Sequence, residues 1–203
     1  MPLSKPFTMY KYFILAGFIV VTACHKTPVD TPVAHPAMNY VNFNQEMTFG
    51  QTLSVDVDSN GIQDFLFYTL PVHDAPRGKD YHQFHFTGSY VCGTPVDFSK
   101  SDFQTPALAK NAAISDSLPG KLPWFNATGV MLARKVVGGT GAAAWEGDWK
   151  DAQHHYLAIR VDRDGLHYYY GWLDVSFDIA AEKLLLHCGA LCKEAGTEVK
   201  AGL

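Results

Sequence analysis

Positive charge, cysteine and long apolar runs are all scarce in this chain. Sixteen Lys and Arg stand against 20 Asp and Glu, a net charge of −4, so no basic field exists to draw in nucleic acid. The longest apolar run, Phe13 to Val21, is about half of the roughly 20 residues that a membrane span needs. Four cysteines include no second Cys or His pair at zinc spacing, which argues against a zinc-built scaffold. No GxSxG marks an activated serine, and no segment repeats. What the chain does have is apolar and aromatic mass. Of 203 residues, 47% are hydrophobic and 13% aromatic, enough for one domain with a real core plus tails.

The N-terminus reads as an export signal. Lys5 and Lys11 precede the apolar run, and "VTAC" closes it at Cys24. "VTAC" resembles the lipobox of bacterial lipoproteins. That resemblance implies a signal peptide over 1–23, removed before Cys24, and acyl chains on Cys24 that hold the protein to a membrane. The expected location is extracytoplasmic, at a bacterial membrane, the outer one favoured. Cleavage would remove two lysines and no acid, bringing the net charge to −6. Residues 24–38, with "HKTPVDTPVAHP", read as the lipidated cysteine and a Pro-rich tether, and residues 39–203 as one β-domain.

From Asn39 onward the pattern is β. "YVNFNQEMTF" and "QTLSVDV" flank Gly50 and read as a first hairpin. "DFLFYTL", "YHQFHFTGSYVC", "GVMLARKVV", "HYLAIRV", "YYYGWLDVSF" and "KLLLHC" follow, roughly eight short strands in all. The fold class expected is all-β, an antiparallel, jelly-roll-like sandwich. Two long loops interrupt it, 99–128 and 138–153, with room for a short helix within 107–114. In "WLDVSF", Leu173, Val175 and Phe177 share one face, and Trp172, Asp174 and Ser176 the other. Gly171 before it suggests a bulge or a close backbone approach.

The strongest chemical signal is "DVDSNGIQDF", from Asp56 to Phe65. Calcium takes six to eight oxygens on a chain that folds around a small sphere. Counting from Asp56, side-chain oxygens fall at positions one, three and five, as Asp56, Asp58 and Asn60, with Gly61 at the sharp turn. Ile62 would offer its carbonyl while its side chain plugs the core, and Asp64 adds a carboxylate. Phe67 stands where an EF-hand has its bidentate glutamate, and strands replace the helices, so an EF-hand fold is excluded. A plain polar turn is the competing reading, since "SNG" alone favours one. Carboxylates this close repel unless a cation neutralises them, which favours a structural Ca2+.

Two segments together carry a family resemblance. "LSVDVDSNGIQDFLF" is similar to the "DxDxDGxxDF" segment of secreted bacterial β-domain proteins, and "HYYYGWLDVSF" resembles their late "YGW" strand. "EAGTEVKAG" resembles their C-terminal end, where a short final strand follows. The resemblance implies an exported, calcium-stabilised β-sandwich and carries no active site. "HCGALC" departs from the pattern.

Other candidates are weaker chemistry. Cys188 and Cys192 either close a small disulfide loop or stand reduced on one strand and its turn. Trp124, Trp145 and Trp149 sit in the long loops, where they would form a glycan-stacking platform or fold back over the sandwich ends. Glu146, Asp148 and Asp151 in "WEGDWKD" are the acids that a glycan hydrolase would use. His82 and His85, three apart on a strand, face opposite ways, and the adjacent His154 and His155 diverge. The reading expected is a non-enzymatic binding or structural module of the envelope, its partners the membrane and a glycan or envelope protein. The hydrolase is its rival.

Overall fold

A computed structural model of the chain describes residues 35–100, 102–137 and 144–203. Cys24, the expected signal segment and the expected tether up to residue 34 lie outside the described residues. Within them the strands run β1 (Met38–Thr48), β2 (Leu53–Val55), β3 (Phe65–Asp74), β4 (Lys79–Gly88), β5 (Cys92–Pro95), β6 (Ala113–Ile114) and β7 (Trp124–Asn126). Then follow β8 (Val130–Val137), β9 (Trp145–Glu146), β10 (His155–Asp162), β11 (Tyr168–Asp178), β12 (Lys183–Cys192) and β13 (Val199–Lys200). All strand pairs are antiparallel, and the protein is all-β. A six-stranded sheet runs β1-β12-β11-β10-β5-β7, and a five-stranded sheet runs β2-β3-β4-β8-β9. A small two-stranded sheet pairs β13 with β6.

The alternation in each strand explains the packing. Phe65 and Phe67 on β3 and Phe84 and Phe86 on β4 meet Leu173, Val175 and Phe177 of β11 in the main core. The rings of Phe67 and Phe86 lie 4.8 Å apart, and Phe84 meets Phe177 edge-on at 5.5 Å. Each fully buried ring of this kind contributes about 1.5–3 kcal/mol. The other face of β11 is apolar as well. Tyr170 and Trp172 join Tyr156, Ala158, Ala190, Ile114 and Val199 in a second core. The segment from Leu108 to Leu118 and strand β13 therefore form a third layer over part of the six-stranded sheet. Close packing of backbones holds that sheet tight. A Cβ on Gly171 would lie 2.2 Å from the Ala190 carbonyl oxygen, so the close approach, not a bulge, is why glycine stands there.

Two local expectations fail for tertiary reasons. β1 and β2 do not pair as a hairpin: β1 pairs with β12 and β2 with β3. Both bury apolar residues, Met47 and Leu53, in the same inter-sheet core, so the turn at Gly50 hands the chain from one sheet to the other. Residues 107–114 form no helix. Leu108 exchanges both backbone hydrogen bonds with Tyr156, at 3.0 and 2.9 Å, and this pairing overrides local alanine propensity.

Candidate functional site

Val55 and Val57 are fully buried, so strand alternation turns Asp56 and Asp58 outward together. Asp64, one residue before core Phe65, closes the loop by donating its N–H to the Val55 carbonyl at 2.9 Å. One carboxylate oxygen from each of Asp56, Asp58 and Asp64 then lies within 4.8 Å of the others. Loop N–H groups shape the cluster. Gly61 donates to Asp56 Oδ2 at 2.7 Å, Asn60 N–H is shared by Asp56 and Asp58 at 3.2 Å, and Val57 donates to Asp64 Oδ2 at 2.9 Å. A carboxylate has about four lone-pair sites, so these bonds leave acceptors for an ion. Gly61, at φ 85°, takes the left-handed turn that brings the loop back.

The electrostatics are those of an underneutralised site. Asp64 is 4% exposed, and burial pushes its carboxyl above the ordinary range, against the Val57 hydrogen bond and with the Asp58 and Asp56 charges. Arg163, carried over the Tyr169 ring, donates to Asp58 Oδ2 at 3.1 Å. Among the described residues, one cation thus faces three carboxylates. The donor set is all oxygen, which fits Ca2+. Asn60 turns its amide oxygen onto the Ile62 N–H at 2.7 Å. Ile62 corrects the expectation of a core plug: it is 68% exposed at the loop tip, and Val57 and Phe65 fill the core there instead.

Two further sequence candidates, the Cys188–Cys192 disulfide and the Trp149 platform residue, are corrected. Cys188 and Cys192 are free thiols, as is Cys92. They stand four residues apart on one strand, about 13 Å at strand rise, roughly twice the reach of a disulfide. Trp149 is no platform residue: it is fully buried, its Nε1 donating to the Thr105 carbonyl at 2.8 Å. Trp124 half-buries on Tyr170 and donates to the Ser115 carbonyl at 3.1 Å, while Trp145 lies against Phe84. The exposed aromatic cluster is a different one, Phe98, Phe103 and Phe125, with rings 4.8 Å apart edge to face. The loop acids Glu146, Asp148 and Asp151 pair with Arg134, Lys100 and Lys150 respectively. Cys92 is buried, and burial pushes its thiol up to about 12, which holds it as the thiol rather than the reactive thiolate.

One cluster escaped sequence reasoning. On the outer face of β11, beyond Trp172, Asp174 and Ser176 emerge where the third layer ends. His154 Nδ1 lies 3.0 Å from Asp174 Oδ2, and its ring stacks on His187 at 4.2 Å. Ser176 Oγ meets both the His154 N–H and His187 Nε2 at 2.9 Å. The ladder explains the meeting. On β12, Cys188 opposes Asp174 and Leu186 opposes Val175, which leaves His187 as the extra residue at a register shift between them. Burial lowers the His187 ring below its ordinary value, with Asp174 opposing and His154 reinforcing. The one sequence signal was Asp174 and Ser176 on a face shared with Trp172.

No family model, curated protein or solved structure matches the chain.

Proposed function

We propose that the protein is a lipid-anchored envelope module whose β-domain is stabilised by Ca2+ at the Asp56–Asp64 loop. The observation that carries this is the convergence of Asp56, Asp58 and buried Asp64, with Arg163 as their one paired cation among the described residues. The ion would be held by those three carboxylates, with Asn60, Ile62 and water completing the shell, and would offset both the desolvation of Asp64 and its repulsion from Asp58 and Asp56. Its role is structural: it ties the β2–β3 connection to the β10–β11 turn that presents Arg163.

The role is binding or structural, not catalytic. The exposed Phe98, Phe103 and Phe125 triad offers a face for a glycan or an envelope protein. The acids at Glu146, Asp148 and Asp151 are engaged by cations, which disfavours the hydrolase reading. The resemblance to secreted "DxDxDGxxDF" β-domains and the lipobox at Cys24 support export and anchoring.

The test has two arms. Titration calorimetry on the purified chain is expected to show one Ca2+ site, lost in Asp56→Ala, Asp58→Ala. Membrane fractionation is expected to place the chain with membranes and its Cys24→Ser variant in the soluble fraction. No calcium heat, or an unchanged distribution, overturns the corresponding half.

A further inference from the structure

A second cluster of ligand-type side chains stands apart from the acidic loop and has different chemistry. We propose that His154, Asp174 and His187 form a site for a divalent transition metal of the Zn2+ class, with an open position facing a surface groove. One ligand atom from each already lies within 4.8 Å of the other two. Zinc bonds of about 2.0–2.2 Å in a tetrahedron place ligand atoms ~3.4 Å apart. The remaining closure is small, and His154 has the freedom to supply it, its side chain being 64% exposed.

The donor set selects the metal. Two imidazoles with one carboxylate suit zinc, iron or nickel, whereas calcium takes oxygen. The anchoring is also that of a ligand set. Asp174 is 7% exposed, and among the described residues its ion-pair partner is His154 alone. A buried carboxylate is stabilised by a full positive charge nearby. Ser176 Oγ can accept Nε2–H of His187, leaving Nδ1 of that ring with its lone pair, the kind of outer hydrogen bond that orients metal-bound histidines. Its second lone pair holds the His154 backbone, which sits at φ 50°, a left-handed conformation unusual for a non-glycine residue. His187, next to core Leu186, lies at the register shift beside Asp174.

Three protein ligands leave one tetrahedral position free. It faces a groove of ≈ 390 Å³ lined by Gln153, His154, Ser176, Asp178, Ile179 and His187. Water or an anionic oxygen donor would complete the shell, as in zinc sites that keep an exchangeable position.

The test is zinc titration of the whole chain, purified without an oligohistidine tag and with calcium present to fill the loop. One Zn2+ per chain is expected. Co2+ in its place should give the intense visible bands of a four-coordinate ion. His154→Ala alters an exposed side chain and leaves the fold intact. It is expected to weaken zinc at least ~10-fold, since even outer-shell losses cost that much. His187→Gln should do the same, while His167→Ala, at a distant His–Asp pair, should change nothing. Equal binding by His154→Ala and the unaltered chain, or zinc lost equally in His167→Ala, would overturn the site. A chain that binds no zinc would show the cluster to be a hydrogen-bonded pair of histidines.

Discussion

Acidification should act on this fold through His85. Its Nε2 lies 2.7 Å from Gln83 Oε1, its ring stacks on Tyr68 at 5.2 Å, and its Nδ1 is buried without a partner. Burial holds the ring down at about 4, from an ordinary 6.5, with only the Asp102 charge opposing. The folded value is depressed, so the unfolded chain takes the proton first. The stabilisation is complete above pH 6.5 and is lost as pH falls toward 4. At pH 4.5 the shift corresponds to about 2–3 kcal/mol. His85→Phe keeps the ring but not the titration, and it leaves Gln83 Oε1 unpaired, a cost of about 1–3 kcal/mol at every pH. Urea unfolding at pH 7.5 and pH 4.5 separates the two effects. The unaltered chain should lose about 2–3 kcal/mol more on acidification than His85→Phe does. His187 and Asp64 contribute alike in both proteins and cancel. Parallel losses would refute the argument.

Other outcomes follow from the same geometry. In the absence of calcium, Asp64→Asn should melt no lower than the unaltered chain at pH 7, because the raised folded value makes the ionised carboxyl a burden there; a clear destabilisation would contradict this. Trp149→Ala should cost about 3–5 kcal/mol and Trp149→Phe about 1–3 kcal/mol through the orphaned Thr105 carbonyl, read by urea midpoints, with near-zero values pointing to an exposed ring. Denatured but unreduced protein should take up alkylating agent at Cys92, Cys188 and Cys192, and a peptide lighter by two hydrogens joining the last two would contradict the strand geometry.

What the sequence made legible was local. Asp56, Asp58 and Asp64 lie within nine residues, so spacing alone brings them together, and the short apolar segments placed β3, β10 and β11 closely, while the segment read for β4 ran on across the turn into β5. What it hid was set by register. Nothing near Gly50 says that β1 will choose β12 over β2. Nothing in "WEGDWKD" says that Trp149 will fill the core while Phe98, Phe103 and Phe125 stay exposed. His154, Asp174 and His187 come from three places in the chain, and the pairing of β12 with β11 is what brings His187 to Asp174. Adjacent-residue reasoning about His154 and His155 was sound for that pair, since His155 turns to the Gln153 carbonyl at 3.1 Å, but it could not see His187.

The central claim, a calcium ion that stabilises the β-domain, is tested most directly by thermal melting of the chain with excess calcium and with chelator. At a calcium concentration 100 times the dissociation constant, the folded state should gain about 2.7 kcal/mol, a rise of roughly 5–10 °C for a domain of this size. The rise should vanish in Asp56→Ala, Asp58→Ala. Superimposable melts with calcium and chelator would contradict the account and leave Asp56 to Asp64 a polar turn held by its own N–H groups and Arg163.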